Sequence, residues 1–252
     1  MNGEWVDNIG FGGLRLIQKK EGFRFGVDAV ILADYAWRFC PEAATAVDLG
    51  TGNGAVSFIL SHKIPGCRIT GVDIQQEAVD IAERSCIING LQDRMEFVCC
   101  DVNNLLSQHS CLKGTADIVL SNPPYIEKGC GITRESSRMI ARQETTAGIE
   151  DFISAAERLL KERGHFFLVH RPSRLVDIFY YCRKHRLEPK DLRLVAPVEG
   201  ASANIALIHC VLGGGHQLNV SDTLFVRNSD GGYSREILEI YEKGRIYHEC
   251  NY

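Results

Sequence analysis

Asn122-Pro123-Pro124-Tyr125 places an amide, a stiff backbone and an aromatic ring side by side, directly after the apolar run Ile118-Val119-Leu120. That run has the composition of a buried parallel strand. Proline fixes its own backbone angle and gives no N–H to a sheet, so the strand stops and a rigid loop leaves it. Open α/β sheets bind ligands beyond the carboxyl ends of their strands, and this loop stands at such an end. Its reactive surface is the Asn122 side-chain oxygen, the Pro123 carbonyl and the flat face of Tyr125. Asn-Pro is also an ordinary turn dipeptide, so the reading depends on what surrounds it.

A second loop, Asp48-x-Gly50-x-Gly52-x-Gly54, follows the apolar strand Ala46–Leu49 and precedes a helix over Ala55–His62. Glycines there let a ligand press against the main chain. Gly50-x-Gly52-x-x-Ala55 also fits the looser dinucleotide fingerprint, and Asp73, closing the next strand, suits ribose hydroxyls in either case. The loop therefore indicates a nucleoside cofactor and by itself leaves NAD and S-adenosylmethionine open. Asp48 favours the second, because a carboxylate before the glycines repels a pyrophosphate but attracts the amine of a methionine moiety. Asp101 closes the third strand, placed to accept from an adenine amine or to cap a helix. Ile74 and Val102 follow these two acids and are expected to sandwich the adenine.

With a sulfonium methyl as neighbour, the first loop acquires a chemistry. A conjugated amine has a delocalised lone pair and is a weak nucleophile. Two acceptors, Asn122 oxygen and the Pro123 carbonyl, would bind its two N–H groups and favour a pyramidal nitrogen aimed at the methyl. Positioning and fixed dipoles supply the gain, without a strong base. Tyr125 would stack on a planar acceptor, and a base acceptor would have to leave its stack. The expected catalytic set is Asn122, Pro123, Pro124 and Tyr125, with Asn122 also bordering the cofactor.

The elements that must position these loops alternate. Strands are expected at Ala46–Leu49, Cys67–Val72, Met95–Cys100, Ile118–Ser121 and Gly164–His170, with helices over Ala78–Asn89, Asp151–Glu162 and Leu175–His185 between or after them. This spacing predicts a single doubly wound, Rossmann-like α/β sheet, mostly parallel. Leu192–Ala196 and Ile205–Leu212 read as a late antiparallel hairpin, Val220–Val226 as an extended segment and Arg235–Lys243 as a closing helix. Residues 1–13 read as a glycine-rich, mobile start, Leu14–Gln18 and Phe23–Phe25 as a hairpin about Lys19–Gly22, and Val27–Phe39 as a helix stopped by Pro41. One domain over 1–252 is expected: an extension (1–43), the main sheet (44–212) and a C-terminal extension (213–252).

The chain has 252 residues, 45% hydrophobic and 24% charged, which is ordinary for a soluble globular protein. None of the 10 cysteines forms a C-x-x-C pair and the eight histidines lack ligand spacing, so no metal is expected. No signal pattern or membrane-length apolar run is visible, and reduced thiols point to a cytoplasmic setting. Net charge is −4, yet residues 128–193 hold 14 Lys/Arg against 9 Asp/Glu. A basic band suits an anionic partner or a solvated face.

Asp48–Gly54, Asp73, Asp101 and Asn122–Tyr125 resemble the class I S-adenosylmethionine-dependent amino-methyltransferases. Lys19–Ala33 narrows this to similarity with the bacterial tRNA(Val) adenine-37 N6-methyltransferase-like (TrmN6) family, and His170–Leu175 and Tyr233–Tyr241 are similar to that group as well. The resemblance spans about the whole chain. It implies S-adenosylmethionine as cofactor, RNA (a tRNA) as partner and Phe25 and Asp28 near the cofactor or acceptor entrance. Arg134, Arg138 and Arg142, with Arg171 and Arg174, would then meet phosphates. The rivals are a protein-glutamine N5-methyltransferase, which shares Asn-Pro-Pro-Tyr but resembles proteins with a helical domain ahead of the glycine motif, a DNA adenine methyltransferase, and a non-catalytic cofactor-binding module.

Overall fold

The computed structural model describes residues 3–19, 26–123 and 147–242. In chain order, β1 (Glu4–Gly10) pairs antiparallel with β2 (Leu14–Lys19), followed by α1 (Val27–Phe39). Then come β3 (Thr45–Leu49), α2 (Ala55–Lys63), β4 (Arg68–Asp73), α3 (Gln76–Asn89), β5 (Met95–Cys99), α4 (Leu105–Gln108) and β6 (Ala116–Ser121). After residue 147 follow α5 (Ile149–Leu159), β7 (Leu160–His170), α6 (Leu175–Lys184), β8 (Leu187–Ala196), β9 (Ile205–Leu212), β10 (Asn219–Phe225) and α7 (Arg235–Ile240).

Eight strands form one sheet in the order β10-β8-β9-β7-β6-β3-β4-β5. Only β9 runs against its neighbours, between β7 and β8. The order steps outward from β3 through β4 to β5, then restarts on the other side with β6, so β3 and β6 flank the switch point. One apolar layer joins α1, α2, α3 and the β1–β2 hairpin to the sheet; the other holds α4, α5 and α6. Helices on both faces explain why the central strands are almost wholly apolar.

The β3–β6 pair is held at both ends. At the amino end, Asp117 Oδ2 accepts from the Ala44 and Thr45 amides (3.0 Å each) and from Thr45 Oγ1 (2.9 Å), while Oδ1 accepts from Lys161 Nζ at 2.6 Å. Burial works against the Asp117 charge, yet Lys161 and Thr45 hold this carboxyl below its usual range. At the carboxyl end Leu49 stands opposite Ser121, and Ser121 Oγ donates to the Leu49 carbonyl at 2.9 Å.

Three expectations change. Residues 4–10 are a strand, so the hairpin is β1–β2 with its turn at residues 11–13, where Gly12 and Gly13 both have positive φ. The expected partner Phe23–Phe25 lies outside the described residues. Helix α5 ends at Leu159, and residues 160–164 join β7, whose first residue pairs with Ala116. The extended segment near 220 adds to the sheet as β10, parallel to β8.

The chain's two ends meet on one cation. The Lys63 side chain is 4% exposed, with Nζ 2.9 Å from Asp34 Oδ1 and 3.3 Å from the Ile240 carbonyl. Its ammonium also lies 5.6 Å from the Phe11 ring centroid and 5.0 Å from that of Trp37. The hairpin, α1, α2 and α7 are thus fastened at one point. Lys63→Met is expected to lower stability by about 3 kcal/mol in urea unfolding, because among the described residues Asp34 then keeps only Arg38 as a cationic partner, and to raise amide exchange in the hairpin and α7 together.

Candidate cofactor and acceptor site

The loop after β3 is wound against the end of β4. The Gly50 and Thr51 amides donate to the Val72 carbonyl (2.8 and 3.0 Å), and the Gly52 amide donates to Asp73 Oδ2 at 2.9 Å. Gly54 ends the loop at φ 85°, where an added Cβ would lie 2.7 Å from Phe58 Cε2. Gly52 is also left-handed, but a Cβ there would meet nothing within 4 Å. Packing thus fixes Gly54, whereas Gly52 presents bare backbone to open space, as a cradle for a ligand requires.

Asp48 is 1% exposed. Its Oδ2 accepts from Thr51 Oγ1 and Ser57 Oγ, both at 2.7 Å, while its buried Oδ1 has no hydrogen-bond partner among the described residues. Burial pushes this carboxyl up to about 6, against the hydroxyls of Ser57 and Thr51 that pull it down, with the Asp73 charge adding to the rise. An orphaned acidic oxygen inside the cradle fits the amine of a methionine moiety. Asp73 is braced by the Gly52 amide on one oxygen and the Gln75 amide on the other, at 2.9 Å each. Burial raises this carboxyl despite those amides. Asp73 therefore shapes the loop, and each of its oxygens keeps a further lone pair for ribose hydroxyls.

Asp73 pairs with Cys99, and the Cys100 amide donates to the Asp73 carbonyl at 2.9 Å, so the ends of β4 and β5 adjoin. Ile74 is 36% exposed and Val102 is buried. Asp101 Oδ1 accepts from the Asn103 amide at 2.9 Å, closing a local turn. Asn122 and the buried Pro123 follow Ser121, so the Leu49–Ser121 pairing sets the start of the acceptor loop beside the start of the glycine loop. Asp28 lies in the first turn of α1, near enough to Tyr241 that, after burial and Tyr233, its charge helps push that hydroxyl up to about 12.

Phe25, Pro124, Tyr125, Arg134, Arg138 and Arg142 lie outside the described residues. Arg171 donates to the Asn204 carbonyl at 3.2 Å, and Arg174 Nε lies 2.9 Å from Asp177. Arg183, Lys184 and Arg186 likewise face Glu188, Glu150 and Glu162 at 3.5, 2.6 and 3.3 Å. These pairs are exposed and weak, so a phosphate would compete with carboxylates for them.

Sequence reasoning missed Thr51, Ser57, Asn53 and Ser121, which lock or line the two loops. Small hydroxyl residues next to a motif acid were the available signal. It also missed His170, buried at the end of β7, whose Nδ1 accepts from the Arg171 amide at 2.8 Å. Burial, with the Arg174 charge, pushes this imidazole down to about 4.

The family model of the methyltransferase small domain matches residues 36–177. A tRNA1(Val) (adenine(37)-N6)-methyltransferase of Porphyromonas gingivalis is 26% identical over 238 residues, covering 87% of this chain and 87% of that protein. A release factor glutamine methyltransferase of Bradyrhizobium diazoefficiens is 40% identical over 79 residues, 31% of this chain and 25% of that protein. Among solved structures, a predicted O-methyltransferase from Agrobacterium tumefaciens shares the fold with TM-score 0.70 at 21% identity, covering 85% of this chain and 95% of that one.

The Asp48 carboxyl gives a signed pH dependence. A cationic amine binds the ionised acid, so affinity for S-adenosylhomocysteine is expected to be full above about pH 6 and to fall about tenfold per unit below it, with Asp48→Asn weak and flat by calorimetry. Without ligand the sign reverses. The folded value exceeds the unfolded one, so this group's favourable contribution is present at low pH and lost as pH rises toward 6, by about 3 kcal/mol in all. Asp48→Asn should therefore be more stable than the parent at pH 8 in urea unfolding.

Proposed function

We propose, from the premise that the chain belongs to the methyltransferase small-domain family and is an S-adenosylmethionine-dependent methyltransferase, that its acceptor is the exocyclic N6 amine of an adenine in RNA, a tRNA in particular. The reading is supported chiefly by likeness at full length. The adenine-N6 relative matches over 87% of the chain, whereas the glutamine-modifying relative matches over 31%. A likeness that extends well beyond the shared domain supports a common acceptor more than a local match does.

The cofactor, when bound, supplies an electrophilic methyl on a sulfonium. In this proposal Gly50, Gly52 and Gly54 receive it against bare backbone, Asp48 takes its amine, Asp73 its ribose, and Asp101, Ile74 and Val102 its adenine. Asn122 oxygen and the Pro123 carbonyl each accept one N–H of the acceptor amine. Both act on the ground-state proton donors, so the nitrogen is drawn out of conjugation before its lone pair is used. The secondary ammonium so formed is acidic and loses its proton without a strong base. Tyr125 stacks on the extruded ring, and the arginines at 134, 138, 142, 171 and 174 meet the backbone phosphates. Phe25 and Asp28 border the entrance.

The second reading, transfer to a glutamine amide, uses the same two acceptors, and the shared local match keeps it as the rival. Incubation with labelled methyl donor, total RNA and total protein separates them. Label is expected in N6-methyladenosine on nucleoside mass spectrometry, and label in protein glutamine would replace this proposal with the rival. Asn122→Ala is expected to cut kcat/KM at least about 100-fold while S-adenosylhomocysteine affinity stays within about twofold. Equal losses in both would remove Asn122 from the acceptor side.

A further inference from the structure

Within the glycine loop, Asn53 is 8% exposed and its Nδ2 has no hydrogen-bond partner among the described residues. A buried amide N–H without an acceptor carries a desolvation cost, and native proteins rarely leave one so. One residue away the Cβ space of Gly52 is open among the described residues, and five residues away Asp48 Oδ1 is also buried and, among them, unpartnered. The loop thus holds two orphans of opposite type, one donor and one acceptor. They belong to one compact turn. The Gly54 amide donates to the Thr51 carbonyl at 2.9 Å, and Thr51 Oγ1 donates to Asp48 at 2.7 Å, so the backbone carrying Asn53 is folded back toward Asp48.

A cofactor that satisfied only the acid would leave the amide buried and unmet. An adenine or ribose would offer Asn53 only neutral acceptors, and a sulfonium would repel its N–H. The one anionic acceptor on the cofactor is the carboxylate attached to the same carbon as the amine. We propose that Asn53 Nδ2 donates to this carboxylate, so that Asp48 and Asn53 together recognise the zwitterionic end of the cofactor. Asn53 thereby sets specificity between ligands that carry an amino-acid tail and adenosyl thioethers that lack one. The inference concerns the cofactor alone and is independent of whether the acceptor is RNA or protein.

Binding of two ligands tests it without any methyl transfer. S-adenosylhomocysteine carries the amino-acid tail; 5′-methylthioadenosine carries the same nucleoside and sulfur without it. By calorimetry, Asn53→Ala is expected to weaken the first about tenfold or more and the second by less than about twofold. Asn53→Asp keeps the shape and places a negative charge against the carboxylate, so its selective loss should be at least as large. Parallel losses for both ligands would assign Asn53 to loop structure, and unchanged affinity for both would place it outside the site. If Asn53→Ala fails to fold, the ratio of the two affinities in Asn53→Asp decides: a shift toward 5′-methylthioadenosine supports the proposal, and an unchanged ratio overturns it.

Discussion

The placement of both candidate loops depends on how β3 and β6 are paired. The sheet's strand order reverses between them, and in an open α/β sheet such a switch point is where a crevice opens at the carboxyl ends. Asp117 gathers three donors from residues 44 and 45 at one end, and Ser121 bonds to Leu49 at the other. A slip of one residue would turn every side chain of β6 to the opposite face. It would also carry Asn122 away from the glycine loop. The glycine loop and the start of the Asn122 loop are therefore two products of one register.

Much of this was legible from local pattern. The apolar runs of β3, β4 and β6, the glycines after β3 and the acids closing β4 and β5 follow from strand chemistry at a switch point, and the structure places them at neighbouring strand ends. What escaped was set by contacts distant in sequence. Residues 4–10 look like loop because glycine and polar residues break the alternation. They become strand by pairing with β2, which lies against α3, where the Ile17 amide donates to Ser85 Oγ at 3.0 Å. Residues 160–164 continue the helical pattern of α5 but gain a ladder partner in β6. The charge balance of the basic band was equally hidden, since Glu150 and Glu188 reach Lys184 and Arg183 only in the folded chain.

The site also illustrates a conflict between stability and binding. Asp48 is buried with one oxygen unmet and its carboxyl raised, and Asn53 is buried with its amide unmet. A loop selected for stability alone would carry neither. Their presence together is what a loop shaped for a ligand of matching polarity would show.

The clasp at Lys63 has a consequence for how the protein is made. Its acceptors include Asp34, from the first fifth of the chain, and the Ile240 carbonyl, near the end of the described residues. During synthesis Phe11, Trp37 and Lys63 leave the ribosome long before α7 exists to cover them. Until then the hairpin rests on its contacts with α3, and a ribosome that stalls ahead of residue 235 would release a chain in which Lys63 lacks the Ile240 carbonyl and Phe11 lacks its Tyr241 neighbour.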